Sequence, residues 1–122
     1  MIHAISQKVH STLGSGFSER VYHNAFEVEL RKRQVPYETE RIVEIRYEDH
    51  VIGNLRSDII VNSEIVLEFK TVAKLTEAHE TQAKNYLRLT GLREAFVINF
   101  GRELECRRLL VTDTGTHTSS WP

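Results

Sequence analysis

The chain carries a single cysteine, Cys106, so no disulfide can close within it, and a lone thiol suits a reducing compartment. Charge of one sign is also missing. A formal net charge of -1 gives no overall attraction to nucleic acid, so any such binding must rest on a local basic surface. No apolar run approaches the length of a membrane span, and the opening MIHAISQKVH lacks the apolar core of a signal peptide. The expectation is an intracellular protein, cytoplasmic or nuclear, with no membrane partner. Neither an internal repeat nor a low-complexity tract nor a linker occurs. What is present is ordinary for a soluble globular domain: 122 residues, 40% hydrophobic and 27% charged. A chain of that length buries about two thirds of its unfolded surface as one domain.

Apolar residues at three- and four-residue steps (Ile2, Ile5, Val9, Leu13) mark a first helix, which Gly14-Ser15-Gly16 ends. Ser18 is placed to cap a second helix reaching about Arg33, with Glu19 in its first turn where the helix dipole favours an anion. Its stripe reads Val21, Ala25 and Val28, extended by Tyr22, Phe26 and Leu30. Pro36 stops it, and from Tyr37 the period becomes two. Val43, Ile45 and Tyr47 form a strand, Asp49-His50 a turn, and Val51 opens a strand leading to Asp58, with Gly53 marking a bulge. A helix runs from about Thr76 to Leu89 and ends at Gly91, with Gln82 and Tyr86 on one face. Ala95 to Phe100 reads as a buried strand and Cys106 to Val111 as a last, edge strand. The domain is expected over residues 1–112. The tail 113–122 is expected to be flexible unless Trp121 docks.

The stretch from Arg56 to Lys70, RSDIIVNSEIVLEFK, organises the rest. It reads as a hairpin with Asp58 on one strand and Glu68 and Lys70 on the other. Register decides whether they meet. A two-residue turn at Asn62-Ser63 would set Asp58 opposite Leu67, whereas a three-residue loop, Asn62-Ser63-Glu64, pairs Val61 with Ile65 and sets Asp58 opposite Glu68. Burial selects the second register, because it places Ile59, Val61, Ile65, Leu67 and Phe69 on one face and Asp58, Glu68 and Lys70 on the other. Two close carboxylates repel unless a positive charge separates them. Lys70 supplies part of that charge, and oxygen ligands with open positions suit Mg2+ or Mn2+. The competing reading is a solvated ladder of salt bridges on a strand face.

Asp58 followed by Glu68-Phe69-Lys70 on the next strand is the spacing of the PD-(D/E)xK nuclease fold. Gly16-Phe17-Ser18-Glu19-Arg20-Val21-Tyr22 matches the GxxExxY signature of a family of small proteins assigned to that superfamily. The chain resembles this family from about Ile5 through Gly101, including GNLRSDIIV, EFKTV, HETQAKNYL, TGL and VINFG. Ser57 stands where the superfamily's name has proline, a position that mainly shapes backbone. The resemblance implies an α/β fold, a central mixed sheet flanked by helices, and a metal-dependent phosphodiesterase. Asp58 and Glu68 would bind Mg2+ or Mn2+, with Glu19 completing or supporting the site. Lys70 would orient the attacking water or stabilise the phosphorane, and Tyr22, Gln82 and Tyr86 would line the cleft. The implied partner is nucleic acid, DNA before RNA. A non-catalytic nucleic-acid- or protein-binding module on the same fold is the alternative, as is a Holliday-junction-type resolvase, which would act as a homodimer. The six histidines show no paired metal spacing and read as surface residues, with His79 nearest the cleft. Arg88, Arg93, Arg102, Arg107 and Arg108 give the C-terminal half a basic character.

Overall fold

The computed structural model describes residues 1–121. Helix α1 spans Ile2–Leu13 and α2 spans Glu19–Lys32; the strands that follow are β1 (Tyr37–Thr39), β2 (Ile42–Tyr47), β3 (His50–Arg56), β4 (Ile59–Val61) and β5 (Ile65–Lys70). Helix α3 (Glu77–Thr90) then leads to β6 (Glu94–Phe100), β7 (Leu104–Thr112) and β8 (Gly115–Ser120). Six strands make a mixed sheet in the order β1-β4-β5-β6-β7-β8, in which β5 and β6 run parallel and every other pair is antiparallel. Parallel strands need a crossover, and α3 supplies it.

The hairpin adopts the register that burial requires. Val61 pairs with Ile65 and Ile59 with Leu67. Asn62 and Ser63 sit at φ 53° and 57°, and the Glu64 amide donates to Val61 O at 3.0 Å. This leaves an apolar row on each side of the sheet. Ile59, Val61, Leu67, Phe69, Ile98 and Phe100 pack under α1 and α2, against Ile5, Tyr22, Phe26 and Leu30. Ile60, Val66, Ala95, Val97 and Leu109 pack under α3, against Ala83, Tyr86 and Leu87. Cys106 is buried in the first layer, which pushes its thiol pKa up and keeps it unreactive.

Several expectations need correction. Strands β2 and β3 form a separate two-stranded arm, with its turn at Glu48-Asp49 rather than Asp49-His50. The arm is separate because the backbone bends at Ser57-Asp58, where Ser57 N donates to Arg41 O at 3.1 Å and Glu40 N donates to Asp58 O at 3.0 Å. Asp58 therefore lies in that bend and not on a continuous strand from Val51. The bulge falls beside Gly53: Ile45 pairs with Gly53 and Arg46 with Val51, which leaves Ile52 unpaired. On α2, Val21 and Val28 are exposed, so its fully buried apolar residues are Tyr22, Phe26 and Leu30, with Ala25 packed beside them. The last strand is not Cys106 to Val111. Gly115–Ser120, within the expected tail, pairs with β7 as β8, and the Trp121 ring lies 4.1 Å from that of His3 and 5.7 Å from that of Phe96. Threonine-rich sequence favours extended backbone, and an edge strand needs no apolar face.

Residues with side chains at positive φ are strained, and the second position of such a turn favours glycine. Ser63→Gly should therefore raise stability by about 0.5–1 kcal/mol, read as a higher urea midpoint at unchanged slope. An unchanged or lower midpoint would contradict the turn geometry.

Candidate active site

The candidate residues gather where β5 ends, the position at which α/β sheets commonly bind ligands. Continuing the ladder one step past Ile59–Leu67 sets Asp58 against Glu68. No backbone ladder bond forms there. Asp58 Oδ2 instead accepts from the Phe69 backbone N–H at 2.7 Å, which fixes the carboxylate and leaves Oδ1 for another partner. Burial pushes the Asp58 pKa up; the Phe69 N–H bond and the nearby His23, Lys70 and Arg20 work against that rise.

Glu68 is the more strongly perturbed group. It is only 5% exposed, and its pKa is pushed up to about 8, first by burial, then by Asp58, with a further push from Glu19 and opposition from Lys70. Lys70, on the same strand face, donates from Nζ to Gln82 Oε1 at 3.2 Å. The first turn of α2 comes over the end of the sheet, and Glu19, Arg20, His23, Asp58 and Phe69 line a pocket of about 50 Å³. That is room for an ion with a few waters. Asp58 and Lys70 are electrostatic neighbours of Glu68, and Lys70 holds Gln82, while Glu19 is exposed at the rim. Glu68, Lys70 and Gln82 lie outside the lining of that small pocket.

Two tyrosines do not line the cleft. Tyr22 is fully buried, stacked on Phe100 with ring centroids 4.6 Å apart, and its hydroxyl donates to Gly14 O at 2.6 Å and accepts from Phe17 N at 3.3 Å. It ties down the loop that starts α2, so its effect on Glu19 is through backbone. Gly16, at φ 106°, provides the turn that brings this loop round. Tyr86 is buried beneath the arm, and its hydroxyl donates to Arg41 O at 3.1 Å. Both are large amphipathic side chains whose hydroxyls found partners inside.

His23 was missed by its sequence context. It is 3% exposed, with Nε2 2.9 Å from Glu27 Oε2 and its ring edge-on to Phe69 at 5.8 Å. The signal was there in the spacing: Glu19, His23 and Glu27 recur every four residues, one stripe of α2 beside the buried one. His79 serves a helix cap instead of the cleft, since its Nδ1 accepts from Thr76 N at 3.0 Å. Arg107 and Arg108 are ion-paired, with Glu80 at 3.2 Å and Glu94 at 2.6 Å. Arg88 and Arg93 line a cavity of about 570 Å³ beside the C-terminal end of α3 and away from the carboxylates.

Among the described residues no group of three or more His, Cys, Asp or Glu side chains is assembled closely enough to cage a metal. The donor chemistry nonetheless fits a hard divalent cation: two opposed carboxylates, one of them with its pKa pushed up by burial and by its neighbour Asp58.

Residues 1–109 match the sequence model of the PD-(D/E)XK nuclease superfamily. The chain belongs to that superfamily. No curated protein matches it. A solved structure of the protein SSO0001 superimposes with a TM-score of 0.55 at 20% identity, over 83% of this chain and 48% of that one. This chain thus spans about half the length of that relative, and at such identity the likeness is one of fold. The superfamily's mixed sheet flanked by helices is the architecture seen here.

Because the folded pKa of Glu68 lies above its ordinary value of 4.5, its contribution to stability is present below about pH 4.5 and is lost as pH rises through about 8. Glu68→Gln removes that loss. Relative to the unmodified chain, the variant should gain on the order of 2–4 kcal/mol between pH 5 and pH 8.5 in the presence of chelator. Denaturant unfolding at the two pH values checks this, and parallel stabilities would contradict it.

Proposed function

We propose that this chain is a Mg2+- or Mn2+-dependent nuclease of the GxxExxY type, hydrolysing phosphodiester bonds of DNA, with RNA the second substrate class. The observation that carries the reading is the opposition of Asp58 and a buried Glu68 beside Lys70, because a protein stabilised only by burial gains nothing from holding two carboxylates there. Superfamily membership supports the same reading.

In this reading Asp58 and Glu68 hold the cation, with Glu19 supporting it from α2. Such a cation lowers the pKa of its water and neutralises charge on phosphate oxygens. Glu68 must surrender its proton before it can ligate, so binding and deprotonation are linked. Asp58, pinned by the Phe69 amide, presents one fixed oxygen. Lys70, aimed by Gln82, sets a fixed ammonium beside the scissile phosphate, where charge develops in the transition state.

The absence of a preassembled three-donor cluster among the described residues favours a second reading, a non-catalytic nucleic-acid- or protein-binding module. A dimeric resolvase would bury Phe17, Val21 and Val28, which are the exposed apolar residues at and beside α2.

The test is cleavage of single-stranded, duplex and branched DNA and of RNA with Mg2+ or Mn2+. Asp58→Asn, Glu68→Gln and Lys70→Ala should each lower kcat by at least about 100-fold. The Glu68→Gln variant should do so while being more stable, which separates lost chemistry from lost fold. Absence of cleavage by the unmodified chain, with nucleic acid still bound, would instead favour the binding module.

A further inference from the structure

Between Lys70, the last residue of β5, and Glu77, the first of α3, the chain forms a strap that joins the two residues of the Lys70–Gln82 hydrogen bond. Thr71, Ala73 and Lys74 in it are exposed, while Leu75 is buried in the core under α3 and Val72 packs against that core. Its polar anchors come from β6 and β7.

Lys70 pairs with Asn99, and Asn99 with Glu105, so these three residues stand in one row across β5, β6 and β7. Asn99 is fully buried. Its Oδ1 accepts from Val72 N at 2.9 Å and its Nδ2 donates to Val72 O at 2.9 Å, so the amide meets both backbone groups of one residue as a strand neighbour would. Glu105 Oε1 accepts from Asn99 Nδ2 at 3.0 Å and from Leu75 N at 3.2 Å. Reversing the Asn99 amide would set donor against donor at Val72 N and acceptor against acceptor at both Val72 O and Glu105, so the network fixes its orientation. Gly101 leaves the space. A Cβ there would lie 2.8 Å from Val72 O and 3.2 Å from Asn99 Nδ2.

We propose that Asn99 and Glu105, with the space left by Gly101, are positioning residues of the nuclease site. They fix the strap at Val72 and at Leu75, the residue before the Thr76 cap of α3, and so set the distance between Lys70 and Gln82. Lys70 has a flexible four-carbon stem, and only a fixed partner holds its ammonium in one place. The inference rests on the nuclease reading above for its consequence in catalysis, and on the strap geometry alone for its consequence in Lys70.

The test uses the full chain with Mg2+ or Mn2+ and DNA, together with the side-chain 15Nζ resonance of Lys70, assigned by its loss in Lys70→Arg. Glu105→Ala and Gly101→Ala should lower kcat about 10- to 100-fold with little change in KM, and should broaden or abolish the Lys70 resonance. Glu105→Gln keeps an acceptor oxygen and should restore both to near the unmodified chain. Gly101→Ala displaces the strap without deleting a hydrogen-bonding group, so it decides the matter should Glu105→Ala fail to fold. A folded Glu105→Ala or Gly101→Ala with unchanged kcat and an unchanged Lys70 resonance overturns the proposal, as does an effect confined to KM. Should the unmodified chain cleave nothing, the nuclease reading fails on its own. The Lys70 resonance then decides: its loss in Glu105→Ala upholds the strap's role, and its persistence overturns it.

Discussion

One register in one hairpin brings the candidate acids of this protein together. With Val61 against Ile65, five apolar side chains take the face under α1 and α2, and Asp58, Glu68 and Lys70 are left to meet at the end of the other. A slip of one residue would invert every side chain on one strand, exposing Leu67 or Phe69 and burying a charge in its place. Burial therefore enforces the acid pair indirectly. The same hydrophobic free energy that folds the sheet holds together two carboxylates that would otherwise separate.

That arrangement is unfavourable locally and is tolerated because the surrounding contacts are strong. Glu68 is desolvated beside Asp58, with Glu19 adding repulsion and Lys70 only partly offsetting it. Phe69, one residue on, packs against Phe26 with ring centroids 5.2 Å apart, and its backbone amide anchors Asp58. Site and core are thus adjacent along a single strand, with alternate residues serving each. Such local cost at a site held by a well-packed scaffold is the usual sign of a trade between stability and function.

Much of this was legible in the sequence, for reasons that differ by residue. The hairpin register followed from period-two alternation, which leaves only one arrangement that buries Ile59, Val61 and Leu67 together. That Glu68 and Lys70 share one strand face, and Gln82 and Tyr86 one helix face, was reachable because strand parity and helix spacing fix such pairs, whereas Glu19 entered only through the motif. The tyrosines were not, since pattern places Tyr22 and Tyr86 correctly on their helices but says nothing of whether a hydroxyl ends in water or on Gly14 O or Arg41 O. His23 escaped notice because a histidine between charged residues reads as solvent-facing until the packing of α2 on Phe69 is known. Strand β8 was hidden for a related reason: its six residues are all exposed, so no apolar alternation marks it. The strap clamp depends on Asn99, Glu105 and Val72 meeting across the sheet, which no local pattern contains.

In the proposed nuclease Asp58 and Glu68 form a cation site, and an ion that enters it displaces a proton from Glu68. Calorimetric titration of Mg2+ and of Mn2+, repeated in buffers of different ionisation enthalpy, counts that proton directly. The expected result is release of about one proton per ion near pH 6.5, falling toward zero near pH 9, and no release in Glu68→Gln. Binding without proton release at the lower pH, or no binding at either, would contradict it.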